Sequence, residues 1–485
     1  MAEAVLKNHI GGRQVESSSG ETAEVRNPAD LRELLWRVQS SGREDARRAI
    51  AAAAGAFPAW AAVPAAGRAE ILQRALAAIV RRREEIAAIL SRENGKTLGE
   101  ARGELSSAIK EMGWQIAEGL RLCGQTVPSE KEGVFAYTVR RPLGVAAIIS
   151  PWNFPFNVPC RKCVPALMAG NAVVFKPASA TPRAGVCFVE AFEEAGLPPG
   201  VLNLVTGPGK TVGDELAANP AVRAVSFTGS TPVGAAIHAK AAATLARTQL
   251  EMGGKNPVVV LADADLDAAA DATVAAAYAC AGQWCTSTSR ALVEAPVVES
   301  FQKRVLERVA AIRVGAGSDP GTTMGPVCGP DQLRMVLAHI EAGLKEGATL
   351  LAGGRQLREG ALAHGCFIEP TVFGDVRPDM SIAREEIFGP VLAIMRVEDF
   401  EEAVAVANDV AYGLASSIYT SSLARAMSFV ERTEVGLTHV NMPTAHKEAG
   451  LPFGGIKASG VGLPEAGASG IEFFTRHKAV YIKHR

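Results

Sequence analysis

The chain has 485 residues, more than one hydrophobic core usually serves, so two or three domains are expected. Hydrophobic residues make up 48% of it and charged residues 21%, which is ordinary for a soluble globular protein. The 50 Lys and Arg residues balance 51 Asp and Glu residues, so the charge gives no reason to expect a nucleic-acid partner. A small molecule is the expected ligand.

Neither a leader nor a membrane span is expected from the sequence. Residues 1–19 lack the basic and then apolar pattern of a signal peptide. The most apolar stretch, Ala51 to Gly67, is mostly Ala and is interrupted by Pro58 and Pro64. A bilayer takes about 20 strongly apolar residues to cross. We therefore predict a cytoplasmic protein with no membrane partner.

The helical spacing of apolar residues predicts a helix from about Ala65 to Leu90. Asn94 and Gly95 follow it, and both tolerate the left-handed conformation that often ends a helix. Further along, Cys160 and Cys163 have the Cys-x-x-Cys spacing, but no second pair or nearby His completes a zinc site. We expect two core thiols there and no metal.

Four short apolar runs between residues 144 and 229 predict β-strands, with helical stretches between them. Runs that are apolar throughout and alternate with helices are typical of a parallel α/β sheet. Ligands of such sheets bind beyond the carboxyl ends of the strands. The predicted strands are Val145–Ile149, Ala172–Phe175, Leu202–Val205 and Val222–Phe227, and the predicted helices lie around Val186–Ala195 and Val212–Ala218.

A second alternation begins at Pro257–Leu261 and continues to about Pro452, which predicts a second α/β domain that carries the chemistry. Two other stretches, Ala136 to Arg140 and Phe473 to Arg485, alternate like strands but have no evident sheet of their own. Such isolated strands suggest pairing across a subunit interface.

The stretch Thr206 to Thr211 looks like a phosphate-binding loop because it ends in Gly-Lys-Thr. The first glycine of that motif falls at position 204, which is Leu204, so the motif fails. A Gly-x-Gly-x-x-Gly dinucleotide fingerprint in the right context is missing as well.

Cys285 is the first candidate for chemistry. A lone Cys is usually a small buried hydrophobe, but Gly282 and the hydroxyl residues after Cys285 suit an irregular turn better than a core. A nucleophilic thiol must be partly ionised, and a helix N-terminus or an adjacent base provides that activation.

Two further candidates are Glu251 and Asn153. Gly253 and Gly254 follow Glu251 closely and give it the mobility that a water-activating base needs, although a lone Glu is more often a surface charge. Asn153 lies at a strand end between two prolines, where its amide is suited to stabilise an oxyanion. The alternative is an ordinary turn in which Asn153 bonds its own backbone.

Together these segments resemble the aldehyde dehydrogenase superfamily, over essentially the whole chain. The motifs occur in family order, from the strand-end Pro-Trp-Asn-Phe-Pro to the late Pro-Phe-Gly-Gly-x-Lys. They are Pro151–Pro155, Lys176–Ser179, Phe227–Ser230, Glu251–Asn256, Gly282–Cys285, Glu385–Val391 and Pro452–Lys457.

The resemblance implies roles for individual residues. Cys285 is expected to be the nucleophile and Glu251 the base, with Asn153 and the Cys285 amide as oxyanion hole. Lys176 and Glu386 are expected to hold the two riboses of NAD or NADP, Ser230 the pyrophosphate, and Phe388 to pack on the nicotinamide. The full expected cofactor set is Ser150, Trp152, Lys176, Ser179, Gly213, Phe227, Thr228, Gly229, Ser230, Met252, Gly253, Glu386 and Phe388. The expected substrate set is Phe154, Arg161, Trp284, Thr286 and Phe453.

The resemblance also implies an α/β fold with a Rossmann-like cofactor domain, a catalytic α/β domain and a small β oligomerisation arm. We predict the cofactor domain at 1–120 and 143–253, the catalytic domain at 254–458, and the arm at 121–142 and 459–485. The expected assembly is a homo-oligomer, a dimer or a tetramer, with homotetramer as the working prediction.

Two finer expectations concern ligands. Ser179 stands where NAD-preferring relatives commonly have a Glu, which suggests NADP use, unless Ser179 is only a helix cap. The sequence resembles the semialdehyde dehydrogenases, especially the 2-oxoglutarate semialdehyde type, at Arg161 and Lys162 and in the segments 441–444 and 460–465. The alternatives are succinate semialdehyde, a broad aldehyde range, or an Arg161 that only pairs with a neighbouring acid.

Other classes are less consistent with the sequence. A non-catalytic protein that keeps the fold has no need of the full set of chemical residues. Acyl transfer to coenzyme A is disfavoured by Glu251, because similar acylating enzymes usually lack this base.

Overall fold

Two large β-sheets, one in each half of the chain, organise the fold. The computed structural model describes residues 5–485, so the first four residues of the domain predicted from residue 1 lie outside the described residues. The first sheet has eight strands and the second has seven, and each is covered by helices.

The eight-stranded sheet has a parallel centre, as the alternating pattern predicts. The five central strands run parallel, and the short strands at both ends run antiparallel. All four strands predicted between residues 144 and 229 are present in this centre. The order across the sheet is Gly460–Val461, Arg247–Glu251, Val222–Thr228, Val145–Ile149, Ala172–Lys176, Leu202–Leu204, Asn8–Ile10 and Arg13–Val15.

Successive residues of one central strand enter two different hydrophobic cores. Val145 and Ala147 face one core, whereas Ala146 and Ile148 face the other. Because side chains alternate between the two faces of a strand, both faces of this sheet are buried under helices. This explains why the strand reads as apolar throughout.

The first predicted helix is interrupted. Two helices, Ala65–Arg81 and Arg83–Asn94, replace it, with Arg82 outside helical geometry between them. The predicted stop is confirmed, since Gly95 has φ 92° and ends the second helix in the left-handed conformation. The other α-helices are Arg43–Ala62, Leu98–Leu120, Asn157–Met168, Pro182–Glu194, Asp214–Ala218, Thr231–Ala242, Leu266–Tyr278, Val298–Ala310, Pro330–Lys345, Ser381–Arg384, Phe400–Asn408, Leu423–Arg432 and Gly467–Phe473.

The seven-stranded sheet forms the second half and is parallel except at one edge. The strands within residues 256–440 belong to it, apart from one short strand at 412–413, so the predicted second α/β unit is present. The order across the sheet is Thr349–Ala352, Thr371–Gly374, Val391–Val397, Thr288–Glu294, Asn256–Val260, Ala415–Tyr419 and Leu437–Val440.

The two strands predicted to lack a sheet pair with each other, so that prediction is wrong in detail. Val134–Pro142 and Thr475–Lys483 form a long antiparallel pair, extended by Thr126–Val127. Local sequence patterns do not indicate this pairing, because more than 330 residues separate the partners, as Thr475 opposite Pro142 illustrates. The outer strand Thr475–Lys483 is mostly exposed.

The predicted arm boundary at residue 459 needs a correction. Gly460 and Val461 pair with Glu251 and Leu250, so they extend the eight-stranded sheet. The helix Gly467–Phe473 then packs against other helices and places Ile471 and Phe473 in their core. Of this C-terminal segment, the strand Thr475–Lys483 forms the arm.

The remaining strands form two small sheets. One contains Val5–Leu6, Thr22–Asn27 and Asp30–Gln39, and the other contains Tyr412–Gly413 and Ile456–Lys457. Within residues 5–485 no single helix has the length and apolar character to cross a membrane. One sharply bent pair, Arg43–Ala62 with Ala65–Arg81, meets those criteria only when its two helices are taken together.

Asn171 connects three parts of the unit built around the eight-stranded sheet through one buried side chain. Its Oδ1 accepts the N–H groups of Leu143 and Gly144 at 2.8 and 3.0 Å. Its Nδ2 donates to the carbonyl oxygens of Ala166 and Phe474, both at 3.0 Å. The side chain therefore holds the start of a central strand, the end of a helix and the C-terminal segment together.

We expect Asn171→Ala to destabilise the protein by about 2–4 kcal/mol, because buried donors and acceptors left without partners cost about 1–3 kcal/mol each. The measurement is the midpoint of urea unfolding. Asn219→Ala is the matched control, since Asn219 also bonds through both side-chain atoms but lies near the surface. Equal midpoints for the two variants contradict the prediction.

Candidate active site

Two cavities meet at Cys285, Asn153 and Thr228. The larger cavity, of about 360 Å³, lies at the carboxyl edge of the eight-stranded sheet. The smaller, of about 30 Å³, continues on the other side of the same three residues. A thiol at such a junction is within reach of ligands from both sides.

The segment before Cys285 has a strained backbone. Cys280 and Ala281 have φ values of 51° and 55°, in the left-handed region that residues with a side chain rarely adopt. Asn256 fixes Cys285 from behind, because its Nδ2 donates to the Cys285 carbonyl at 2.8 Å. The thiol is therefore presented from an irregular turn, as predicted, and no helix starts at Cys285 to activate it.

The resting thiol is neutral, contrary to the expectation of partial ionisation. Burial raises the pKa of the Cys285 thiol to about 12. The positive charge of Arg161 opposes this effect, whereas the nearby carboxyls of Glu386 and Glu251 add to it. Nucleophilic attack therefore requires that a proton leave the thiol as the substrate binds.

Asn153 is held in the wall that the two cavities share. Its Nδ2 donates to the Gln283 carbonyl at 3.0 Å, two residues before Cys285. Its own carbonyl accepts from Lys96 at 2.7 Å. The turn alternative, in which Asn153 bonds its own backbone, is therefore wrong. The side chain keeps a second N–H for a substrate oxygen.

Glu251 ends the strand Arg247–Glu251 and is fully enclosed. Its carboxylate accepts from the Gly455 amide at 3.3 Å. Burial, reinforced by the charge of Glu465, raises the pKa of Glu251 well above its usual range. A carboxyl with a raised pKa suits a group that takes a proton from water.

Glu465 belongs to a buried network that the sequence did not reveal. It forms an ion pair with Lys162, whose Nζ also donates to Ser226 at 2.8 Å. It also accepts from Thr228 at 3.3 Å, at the wall that both cavities share. Lys162, which shares with Arg161 the resemblance to semialdehyde dehydrogenases, pairs here with Glu465 and does not line either cavity.

The larger cavity contains most of the expected cofactor residues. Ser230 precedes the helix Thr231–Ala242, and its side chain makes no capping bond, so the helix N-terminus faces the cavity ready for a pyrophosphate. Burial raises the pKa of Glu386 to about 7, and its carboxylate accepts from the Gly254 amide at 3.0 Å. The expected residues that line the cavity are Trp152, Thr228, Gly229, Ser230, Met252, Gly253, Glu386 and Phe388.

Trp152 and Phe388 form an aromatic corner in this cavity. Their rings meet edge to face at 5.3 Å between centroids. Phe388 has φ 55°, a rare value for a bulky residue that indicates an enforced position.

The other expected cofactor residues lie outside the cavity walls. Ser150 is buried, and its hydroxyl has no partner. Lys176 donates to the Pro177 carbonyl at 3.2 Å, and burial lowers its pKa to about 8. Gly213 lies against the Lys176 side chain, and Phe227 packs in the core.

Ser179 is exposed, and its hydroxyl donates to the Gly207 carbonyl at 3.3 Å. The helix Pro182–Glu194 starts after Thr181. Ser179 is therefore not the helix cap that was considered as an alternative.

The smaller cavity contains four of the five expected substrate residues. Phe154 and Trp284 meet at 4.8 Å between ring centroids, and Phe453 completes an aromatic lining. Arg161 lies over Phe453, with 4.5 Å from its guanidinium carbon to the ring centroid. Thr286 does not line the cavity, because it is buried and its carbonyl accepts from Thr444, so its prediction is wrong.

Arg161 forms the acid pair that was considered as an alternative. Its Nε and Nη2 bind both oxygens of Glu111 at 2.9 and 2.8 Å. Lys447 binds the same carboxylate at 2.7 Å. Burial alone disfavours the ionised form of Glu111, but the charges of Arg161 and Lys447 outweigh this effect and lower its pKa to about 2.

Sequence reasoning missed Glu111 and Lys447. Glu111 lies on the apolar face of the helix Leu98–Leu120, beside Ala108 and Met112, where a charge is unusual and signals a buried partner. Lys447 lies in an irregular loop with no comparable signal. Other unpredicted lining residues are Gln332, Met335 and Tyr412 in the larger cavity, and Asn157, Val158 and Glu465 in the smaller one.

Among residues 5–485 no group of three or more His, Cys, Asp or Glu side chains is arranged to hold a metal ion. Cys160 and Cys163 are both buried in the helix Asn157–Met168, as expected for core thiols.

A buried thiol between a cleft lined by the expected cofactor residues and a narrow aromatic pocket is the arrangement of an oxidoreductase that binds its substrate covalently. The model of the aldehyde dehydrogenase family matches residues 14–480, and the chain belongs to this family. It is therefore an NAD(P)-dependent aldehyde dehydrogenase, and the predicted α/β fold class is confirmed.

Named relatives agree with this family assignment. The chain is 44% identical to the alpha-ketoglutaric semialdehyde dehydrogenase of Bacillus subtilis, over 98% of each protein. It is 42% identical to the alpha-ketoglutarate semialdehyde dehydrogenase of Haloferax volcanii, again over 98% of each. The crystal structure of an NADP-dependent enzyme from E. coli matches with a TM-score of 0.95 and 36% identity, over 99% of this chain and 98% of that one.

We expect iodoacetamide labelling of Cys285 in the free enzyme to accelerate about tenfold per pH unit from pH 6 to 9. The reason is that a thiol with a pKa of about 12 stays far from full ionisation in this range. The measurement is the labelling rate at Cys285 by mass spectrometry, with activity loss following it one to one. N-acetylcysteine is the control and levels off near pH 9. A plateau for Cys285 below pH 9 contradicts a buried neutral thiol.

Proposed function

We propose that this enzyme oxidises a short aldehyde with a distal carboxylate, most specifically 2-oxoglutarate semialdehyde, to the corresponding acid. One observation carries the proposal: two cations share a single carboxylate beside the narrow cavity. The names of the two relatives from Bacillus subtilis and Haloferax volcanii support it. Succinate semialdehyde has the same distal carboxylate and is the second candidate.

The charges beside the narrow cavity do not balance. Arg161 and Lys447 both bind Glu111, so two positive charges face one negative charge. Glu465 does not restore the balance, because Lys162 already pairs with it. A substrate carboxylate that enters here neutralises the excess charge in a largely dehydrated place, where such a contact is strong.

Arg161 is a poorer direct ligand for that carboxylate than the sequence suggested. Nε and Nη2 are already used by Glu111, and Nη1 lies 3.7 Å from Glu465. The Lys447 side chain is 19% exposed and more accessible. We infer that Lys447 meets the substrate carboxylate and that Arg161 contributes mainly through its charge.

The reaction begins at the junction of the two cavities. The Cys285 sulfur bonds to the aldehyde carbon as the thiol releases its proton to water. The π electrons of the carbonyl move to its oxygen, which becomes an oxyanion. Asn153 Nδ2 and the Cys285 amide stabilise this oxyanion, at about 10²–10³ in rate for each such donor. A nicotinamide cofactor held in the larger cavity would supply the acceptor for the hydride that leaves the same carbon.

A thioester on Cys285 remains and must be hydrolysed. Glu251 takes a proton from water, and the water oxygen attacks the thioester carbon. The C–S bond breaks, and the proton returns to the sulfur. Glu251 is turned toward Gly455 in this structure, so its carboxyl must move toward Cys285 for this step.

We propose NADP as the preferred cofactor of the larger cavity, with NAD accepted as well. Ser179 carries no charge to repel a 2′-phosphate, and it contacts Gly207 in a loop that continues to the exposed Lys210. The E. coli relative described as NADP-dependent supports this preference.

The cytoplasmic location and the homotetramer stay predictions, as do the domain boundaries not corrected above.

We expect Lys447→Met to raise the KM for carboxylated semialdehydes about 10- to 100-fold and to leave the KM for hexanal within about threefold. A charge-assisted hydrogen bond is worth about 1.5–3 kcal/mol. Hexanal has no carboxylate to form this bond, so its KM does not depend on Lys447. Lys345→Met is the control, since Lys345 pairs with Glu341 on the surface.

Steady-state kinetics on both substrate classes decide the question. Equal changes for both classes rule out Lys447 as the carboxylate contact. A parent enzyme that ignores carboxylated aldehydes overturns the semialdehyde proposal and leaves the family assignment intact.

We expect Ser179→Glu to lower kcat/KM for NADP at least about tenfold relative to NAD, because the new carboxylate repels the 2′-phosphate. Ser179→Ala is the control, since it removes the hydroxyl without adding charge. The measurement is the ratio of kcat/KM for the two cofactors. An unchanged ratio, or a parent that prefers NAD more than a hundredfold, contradicts the NADP proposal.

A further inference from the structure

The loop that carries Asn153 has no regular structure of its own. It connects the strand Val145–Ile149 to the helix Asn157–Met168, and it forms the wall between the two cavities. A hydrogen-bond donor stabilises a transition state only when it is already held in place. The contacts that hold this loop therefore bear directly on the role of Asn153.

Lys96 holds the loop from beneath. Its side chain is fully buried, and Nζ donates to the Asn153 carbonyl at 2.7 Å and to Glu104 at 2.6 Å. The ammonium group also lies 4.3 Å from the centroid of the Phe154 ring. One buried cation thus contacts two successive residues of the loop.

Glu104 holds the far end of the same loop. Its Oε1 accepts the amides of Phe156 and Asn157 at 2.9 and 3.0 Å, at the start of the helix that follows. Its Oε2 binds Lys96. The pair Lys96–Glu104 therefore fixes the loop at two points, the carbonyl of Asn153 and the amides that begin three residues further on.

The same segment also holds the loop of the nucleophile. Glu100 Oε1 accepts the Cys280 amide at 2.6 Å, where the strained turn before Cys285 begins. Asn94 Nδ2 donates to the Trp152 carbonyl at 3.0 Å. Residues 94–104 thus connect the two loops that must meet on one substrate oxygen.

We propose that Lys96 and Glu104 form a positioning pair that holds Asn153 at the distance from Cys285 at which it stabilises the oxyanion. Neither residue lines a cavity, so the pair acts through Asn153. This inference rests on the proposed function, because it assumes that Asn153 donates to the oxyanion.

The test variant is Lys96→Met/Glu104→Gln, which removes both charges and leaves no unpaired ion in the interior. Glu104→Gln alone is the second variant if the double variant does not fold. Glu93→Gln is the matched control. Glu93 is also a buried carboxyl that accepts two amides at a helix start, those of Arg183 and Ala184, but away from the Asn153 loop.

The rate of hydride transfer is measured in a single turnover as the growth of reduced cofactor absorbance. We expect the positioning variant to slow this rate about 10- to 100-fold, as for a displaced oxyanion donor. Cofactor binding and the rate of Cys285 labelling are expected to change less than about twofold. Glu93→Gln is expected to lower thermal stability and keep the parent rate.

A double-mutant cycle with Asn153→Ala separates a positioning effect from a general disturbance of the active-site structure. In the Asn153→Ala background the positioning variant is expected to slow hydride transfer less than about threefold, because the donor it places is already gone. Additive losses, a parent-like rate, or an equal loss in Glu93→Gln each overturn the inference. A parent-like rate in Asn153→Ala alone shows that Asn153 is not the oxyanion donor. That outcome removes the step of the proposed function on which the inference rests, and it is distinguishable from the additive losses that overturn the positioning pair itself.

Discussion

Four residues, Met252–Lys255, join the two halves of this enzyme, and the site depends on how tightly they turn. They connect the strand Arg247–Glu251 of one sheet to the strand Asn256–Val260 in the middle of the other. If Gly253 carried a Cβ atom, that atom would lie 2.1 Å from a carboxylate oxygen of Glu386. One on Gly254 would lie 2.6 Å from the amide oxygen of Asn256. Glycine permits this close approach, which brings Glu251, Glu386 and the Asn256 side chain that supports Cys285 together.

Charges enclosed around the thiol follow from the same close packing. Buried ion pairs rarely add stability, because the cost of removing ions from water offsets their attraction. Their presence here is better explained by what they do to the site, since they place loops and, together with Lys447 on Glu111, leave one positive charge in excess. The pairs are Lys96–Glu104, Arg161–Glu111 and Lys162–Glu465.

The sequence was sufficient for local features and insufficient for distant pairings. Continuous apolar runs located the parallel strands because both faces of that sheet are covered. Gly95 located a helix end because the left-handed conformation that it adopts depends only on the local backbone. The pairing of Val134–Pro142 with Thr475–Lys483 and the place of Gly460 in the first sheet depend on contacts across hundreds of residues.

Motifs located the reacting groups well, and their surroundings less well. Cys285, Asn153 and Glu386 line cavities as expected, because each belongs to a motif with a fixed local geometry. The failure at Thr286 has a simple cause, since one step along an irregular turn reverses the direction of a side chain. Ionisation of Cys285 was also misjudged, because burial is a property of the folded surroundings and not of the turn.

Glu111 shows how one buried acid changes the meaning of a motif. An Arg on the helix beside a substrate tunnel suggests a ligand for a substrate carboxylate. Here Glu111 already accepts the two guanidinium N–H groups of Arg161 that such a carboxylate would use. If Glu111 faced Arg161 alone, the pair would be neutral and would offer an anion nothing. Lys447 binds the same acid and restores a net positive charge at the more accessible end of the cluster. Under the proposed function, selection for a carboxylated aldehyde therefore depends on three residues from distant parts of the chain, and on their summed charge more than on any one of them.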